Sequence, residues 1–216
     1  MELSSPIDEA AGTPCVITIA GPNGIGKSRF YTEALKHLGW PYINADALAK
    51  AFWEDHLTEE AGRPERDMTS AKMTDKLRDL MISDTELINQ CHSFVSETVF
   101  SSKRKADFLA RAKAAGHRVV LIVIGTDNPN VLLARVAGRK EEGGHDVDPN
   151  EIRKRFDKVF SNAAYALQFV DEVRLVDNTD ADTPFVEVAK VIDGKRTDIV
   201  SPLPQWAMTV LGDTPA

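Results

Sequence analysis

Residues 21–28 read Gly-Pro-Asn-Gly-Ile-Gly-Lys-Ser, a complete match to G-x-x-x-x-G-K-[ST]. Its flanks constrain the fold as much as the motif does. Cys15 to Ala20 is a β-branched run of the kind a buried parallel strand uses. A helix is expected from about Ser28 to Leu38, closed by Gly39 with Pro41 just beyond. Strand, glycine-rich turn and helix in that order require an α/β sheet that delivers the turn to its carboxyl edge. There the glycines let backbone N–H groups converge on phosphate oxygens beside the positive end of a helix. The candidate nucleotide-binding residues are therefore Gly21, Pro22, Asn23, Gly24, Ile25, Gly26, Lys27, Ser28 and the adjoining Arg29. In ATP or GTP binding, Lys27 would span the β- and γ-phosphates and Ser28 would ligate Mg²⁺.

The remaining chain alternates in the same way. Tyr42-Ile43, Ser93 to Ser96, His117 to Ile124 and Glu172 to Val176 are strand candidates. Helices are expected from Lys105 to Ala115 ahead of Gly116, from about Asn130 to Arg139, from near Pro149, and around Phe185 to Ile192. Between Met68 and Cys91, Met73, Leu77, Leu80, Met81, Leu87 and Ile88 form a helical stripe that reads as core packing. This alternation predicts a three-layer α/β domain with a mainly parallel sheet and helices on both faces. Residues 1–14 read as a polar arm, 15–200 as the domain, and 201–216 as a tail packed on the surface through Pro202, Pro204 and Trp206. The polar stretch 58–67 is a candidate surface insertion.

Composition narrows the partners. The chain carries 33 Asp+Glu against 26 Lys+Arg, a formal charge of −7. No broad nucleic-acid or anionic-membrane binding is expected, because either needs a wide basic face. An anionic ligand needs a local basic pocket instead. Cys15 and Cys91 have no zinc-ligand spacing, so two reduced thiols in a cytoplasmic protein are expected. The N-terminus lacks the apolar stretch of a signal peptide, and the longest apolar run, Val119 to Ile124, is too short to span a bilayer.

Two acids follow strand candidates: Asp46 in Ile43-Asn44-Ala45-Asp46, and Glu97 in Phe94-Val95-Ser96-Glu97-Thr98. Both would point toward phosphates bound at the carboxyl edge, one accepting a proton from a substrate hydroxyl and the other holding Mg²⁺ through water. Equally, Asp46 fits a helix N-cap and Glu97 an exposed loop acid. From Arg135 to Lys158 there are 7 Lys/Arg and 6 acids, with Arg139 and Arg155 on either side of the Gly143-Gly144-His145 turn. Such a turn can swing cations over a transferring phosphoryl group, whereas the same charges spread along helices make only a solvated face. His145 reads as a structural residue holding the turn.

Taken together these elements resemble the zeta-toxin family of P-loop kinases. The matches are Ala20 to Ser28, Ile43-Asn44-Ala45-Asp46, Ser96-Glu97-Thr98, Arg135-Val136 with Arg139 and Gly143-Gly144-His145-Asp146-Val147, Ile152 with Arg155-Phe156, and Asp177-Asn178. The resemblance covers about residues 15–180 and implies a P-loop kinase fold. It implies transfer of phosphate from ATP or GTP, with Mg²⁺, to a sugar hydroxyl of a UDP-activated amino sugar, the 3′-hydroxyl of UDP-N-acetylglucosamine foremost. By position, Asp46 corresponds to the catalytic base, and Lys27, Arg139 and Arg155 to the residues that grip the transferring phosphate. Asn44, Asp46, Glu97 and Thr98 fall on the substrate side, and Asn178 near the nucleotide. The family pattern also implies the toxin of a toxin–antitoxin system, restrained by a separately encoded antitoxin protein.

The sequence departs from the family at two points. Val99 stands where many relatives have a second threonine, and Asp148 displaces Pro149 by one place, which leaves Arg153 and Arg155 as alternatives in the lid. Asp84 and Glu86 are candidates for a further substrate-side acid. Two other readings remain open: a metabolic kinase for another nucleotide sugar, free sugar or dinucleotide, and a nucleotide-binding switch with no acceptor.

Overall fold

The computed structural model describes residues 12–44, 92–141 and 148–213, without the side chains of 139–141. The helical stripe at 68–91, the insertion at 58–67, most of the arm, Asp46, Asp84, Glu86, Cys91 and the Gly143-Gly144-His145 turn lie outside the described residues.

Among the described residues, seven strands make one sheet: β1 (Cys15–Ala20), β2 (Tyr42–Asn44), β3 (Phe94–Thr98), β4 (Arg118–Gly125), β5 (Glu172–Asp177), β6 (Val186–Ile192) and β7 (Lys195–Asp198). Their spatial order is β2-β3-β1-β4-β5-β6-β7. The first five are parallel, so their carboxyl ends share one edge, and β6 and β7 complete the sheet antiparallel. β1 and β4 are buried on both faces, which is why they read as unbroken apolar runs. Val16, Ala20, Val119, Leu121 and Val123 face one layer, and Ile17, Ile19, Val120, Ile122 and Ile124 the other.

Helices cover both faces. α1 (Lys27–Phe30) continues as a π-helical turn, Tyr31–Leu35, and a 3₁₀ turn, Lys36–Leu38, before Gly39 ends it at φ 68°. α2 (Arg104–Ala114), α3 (Pro129–Glu141), α4 (Pro149–Ala166) and α5 (Gln205–Leu211) follow. The start of α4 is set locally, with Pro149 in its first turn and the Asp148 carboxylate accepting from Asn150 N–H at 2.8 Å. α2, α4 and α5 bury Leu109, Phe160 and Trp206 on one face, while Phe30, Leu35, Leu132 and Val136 fill the other beside Ile25 and Ile152.

Three expectations are corrected. The segment expected as a helix around Phe185 to Ile192 is the strand β6, paired with β5 and turned back into β7 at Asp193-Gly194, where φ is 49° and 76°. An Asp-Gly pair at a two-residue connection is a strong hairpin signal, and three valines with a terminal isoleucine suit the pleated surface it joins. Glu97 lies within β3 rather than after it, one residue from the strand's end. Residues 201–213 are more than a surface tail, because α5 buries Trp206, Ala207 and Val210 in the core. Asp127 accepts both Gln205 N–H and Trp206 N–H at 2.9 and 2.8 Å, and the indole donates to Asp177 at 2.9 Å. Gly125 leaves room for that indole: a Cβ there would lie 2.3 Å from the ring.

A charged cluster threads the interior of the same sheet. Arg174, with no exposed surface, donates to Glu172 at 2.5 Å and reaches Glu187 at 3.4 Å, while Arg118 holds the other Glu172 oxygen at 2.6 Å. Among the described residues, no helix is long and apolar enough to cross a membrane.

Candidate active site

The loop's shape is fixed by its closeness to the sheet. A Cβ on Gly21 would stand 2.6 Å from the Ile124 carbonyl oxygen, so the turn leaves β1 where only hydrogen fits. At Gly26 φ is 96°, and a Cβ would stand 2.9 Å from Nδ2 of Asn178. Asn178 is buried and holds the loop from beneath: its amide donates to Ile25 O at 2.7 Å and accepts from Phe185 N–H at 3.3 Å. Its contacts are thus to the loop backbone and to the Phe185 segment. Within the loop, Lys27 Nζ donates to Pro22 O at 3.2 Å.

Ser28 points at β3. Its hydroxyl lies 3.1 and 3.0 Å from Glu97 Oε1 and Oε2, joining residues 69 apart because β3 is the strand hydrogen-bonded beside β1. β2 adds two donors to the same carboxylate. Asn44 Nδ2 donates to Oε1 at 2.8 Å, and the Tyr42 hydroxyl donates to Oε2. Glu97 is 6% exposed, so these three donors replace the water a carboxylate otherwise requires. Burial, and then the adjacent Glu97 charge, push the Tyr42 phenol well above the ordinary tyrosine range, so it acts as a donor here.

Thr98 turns to the opposite face, where its hydroxyl accepts from Lys105 Nζ at 2.6 Å and from Phe100 N–H at 3.3 Å. Arg29 pairs with Glu33 at 2.6 Å and lies 5.5 Å over the Phe185 ring. Arg135 crosses from α3 to donate to Asn178 O at 2.8 Å and Thr179 O at 3.4 Å, and burial followed by the Arg29 charge holds its pKa below the usual arginine value. The structure therefore brings together the 21–28 loop, Asn44, Glu97 and Asn178. Arg155 pairs with Glu151 on α4 at 3.0 Å. The Arg139 side chain and Asp46 lie outside the described residues.

Sequence reasoning missed Tyr42, Lys105 and the bracing role of Arg135. For Tyr42 the only available signal was its place two residues before Asn44. The fit of the site for magnesium is judged on its donors. A serine hydroxyl and a carboxylate are hard oxygen donors, already converged to 3.0 Å beside the phosphate loop, and one carboxylate with bound phosphates is the usual setting for Mg²⁺. The residues fit.

A glycine loop carrying Lys27 and Ser28 at the carboxyl edge of a mainly parallel sheet, with an acid of the adjacent strand on that serine, defines a P-loop nucleotide-binding protein with the P-loop kinase fold. The family model for the AAA domain matches residues 16–165, and the chain belongs to that family. No curated protein matches the sequence. Solved structures share the fold. An AvrRxo1-ORF1:AvrRxo1-ORF2 complex with ATP matches with a TM-score of 0.65 at 21% identity, over 87% of this chain and 61% of the other. The present chain thus spans less than two thirds of that protein. The PezAT toxin–antitoxin system of Streptococcus pneumoniae matches with a TM-score of 0.60 at 18% identity, over 82% and 72% of the two chains. A kinase-like protein from Chloroflexus aurantiacus matches with a TM-score of 0.52 at 15% identity, over 67% and 75%.

Proposed function

We propose that the protein is a small-molecule kinase that moves the terminal phosphoryl group of ATP or GTP to a sugar hydroxyl of a UDP-activated amino sugar, the 3′-hydroxyl of UDP-N-acetylglucosamine foremost. The observation that carries this reading is the Ser28–Glu97 contact at 3.0–3.1 Å, which sets a buried acid beside the serine of the phosphate loop. The fold shared with an ATP-bound AvrRxo1 complex and with the PezAT system supports it. So does the order of motifs that resembles the zeta-toxin family.

In this reading, backbone N–H groups of 21–28 and Lys27 bind and orient the phosphates, which is most of what phosphoryl transfer asks of a protein. Ser28 and Glu97 would hold Mg²⁺, which supplies charge neutralisation on the phosphate oxygens. The acceptor hydroxyl forms the new P–O bond as the bond to the nucleoside diphosphate breaks, and its proton passes to the carboxylate of Asp46. Arg139 of α3 and Arg155 of α4 stabilise the spreading charge. Asn44 lines the acceptor side, whereas Thr98, turned to Lys105 on the opposite face, does not join it. The toxin role follows as a second step of the proposal, with a separately encoded antitoxin as partner, and the cytoplasm as the place of action.

Asp46→Asn keeps the shape and removes the proton acceptor. Acceptor-dependent ADP release is expected to fall by roughly 10²- to 10⁴-fold while nucleotide binding is retained. Wild-type release by this variant would remove Asp46 from the mechanism. A nucleotide switch would hydrolyse ATP at the same rate with or without a sugar nucleotide, so the acceptor dependence of the wild-type protein separates the two classes.

A further inference from the structure

We propose that Tyr42 is a positioning residue for the metal-side acid, fixing Glu97 so that the acid and Ser28 share one cation; this rests on the kinase reading above. Four features converge on it. The Tyr42 hydroxyl donates to Glu97 Oε2, one of the two oxygens that face Ser28. Its neighbour on the same side of β2, Asn44, fixes the other oxygen at 2.8 Å, so the plane of the carboxylate is set by one strand. The Tyr42 ring is itself held, stacked on Tyr31 with centroids 3.6 Å apart and planes within 3°. Tyr31 opens the π-helical turn directly after the phosphate-loop helix.

The physical consequence is specific. A carboxylate whose two oxygens carry different donors cannot rotate about its last torsion without losing a charge-assisted hydrogen bond. A cation arriving beside Ser28 displaces the serine hydroxyl's hydrogen from the carboxylate, because a ligating hydroxyl turns its lone pair to the metal. Tyr42 and Asn44 do not need to move, so they keep the acid aimed during that exchange. The ring stack anchors this arrangement to the element that carries Ser28, which ties the acid's orientation to the loop rather than to β3 alone. Such outer contacts commonly change metal affinity by about 10- to 100-fold when removed.

The test is Mn²⁺ binding followed by electron paramagnetic resonance, with the full chain and a saturating non-hydrolysable ATP analogue, for wild type and Tyr42→Phe. Phenylalanine keeps the ring stack and deletes only the hydroxyl. Tyr42→Phe is expected to weaken Mn²⁺ binding about 10-fold, with metal-free analogue affinity unchanged. Asn44→Ala, which frees the other oxygen, is expected to act in the same direction. Wild-type Mn²⁺ affinity in Tyr42→Phe would overturn the proposal and leave the kinase reading standing, because the phenol would then serve packing alone. Failure of the wild-type complex to bind Mn²⁺ would overturn both.

Discussion

Glu97→Gln is expected to lower kcat/KM for phosphoryl transfer by about 10²- to 10³-fold, the range seen when one preorganised electrostatic group is lost from an active site. The size follows from what the carboxylate does. It is buried, and it accepts from Ser28, Tyr42 and Asn44 together. Glutamine keeps the shape but removes the charge that would attract a cation. Its NH₂ replaces one of the two acceptor oxygens, so the hydroxyls of Ser28 and Tyr42 must turn from donor to acceptor on that side while Asn44 keeps the remaining oxygen. The defect should therefore appear partly as a demand for more Mg²⁺, with acceptor KM little changed, because Glu97 reaches the reaction through the loop serine. Steady-state rates over a Mg²⁺ series check this. A variant within threefold of wild type at every Mg²⁺ concentration would place the cation site elsewhere.

The second large effect is on stability. Arg174→Ala is expected to destabilise the fold by about 3–5 kcal/mol, the cost of breaking a buried ion pair by removing one partner. At about 2–4 °C per kcal/mol for a chain of this size, the melting temperature should drop by roughly 10 °C. Arg174 is fully buried in β5 and lies between Glu172 and Glu187 of β6. Without it Glu172 keeps its contact with Arg118 but loses the buried one with Arg174, and Glu187 loses the contact with that cation as well. Differential scanning calorimetry gives the comparison, and a shift under 3 °C would show that the surrounding charges relax without Arg174.

The phosphate loop was legible because its physics is local: eight consecutive residues, a strand before and a helix after. β4 was legible for a similar reason, since burial on both faces leaves a continuous apolar run. Glu97 was legible as an acid near the carboxyl edge, but its contact with Ser28 was not, because that contact depends on β3 lying beside β1, a fact of sheet order rather than of either segment. Tyr42 was hidden by the same rule, since its role comes from a neighbour 55 residues away. β6 was misread because Phe185, Val188 and Val191-Ile192 also fall at helical intervals, and the Asp193-Gly194 turn that decides the matter lies just outside that window. In the C-terminal segment Trp206 reads with two prolines as a surface contact, because its buried slot exists only where residue 125, far away in sequence, is glycine. Arg174 in Glu-Val-Arg-Leu-Val gave no sign of its burial, because an arginine within a strand is ordinarily solvated at its tip.

Phosphorus NMR of the pure protein incubated with Mg·ATP and a panel of UDP-sugars tests the central claim most directly. A new phosphomonoester resonance is expected with UDP-N-acetylglucosamine, growing in step with ADP and absent when Asp46→Asn replaces wild type. ATP and every UDP-sugar remaining unchanged under the same conditions would contradict the assignment of a sugar-nucleotide kinase.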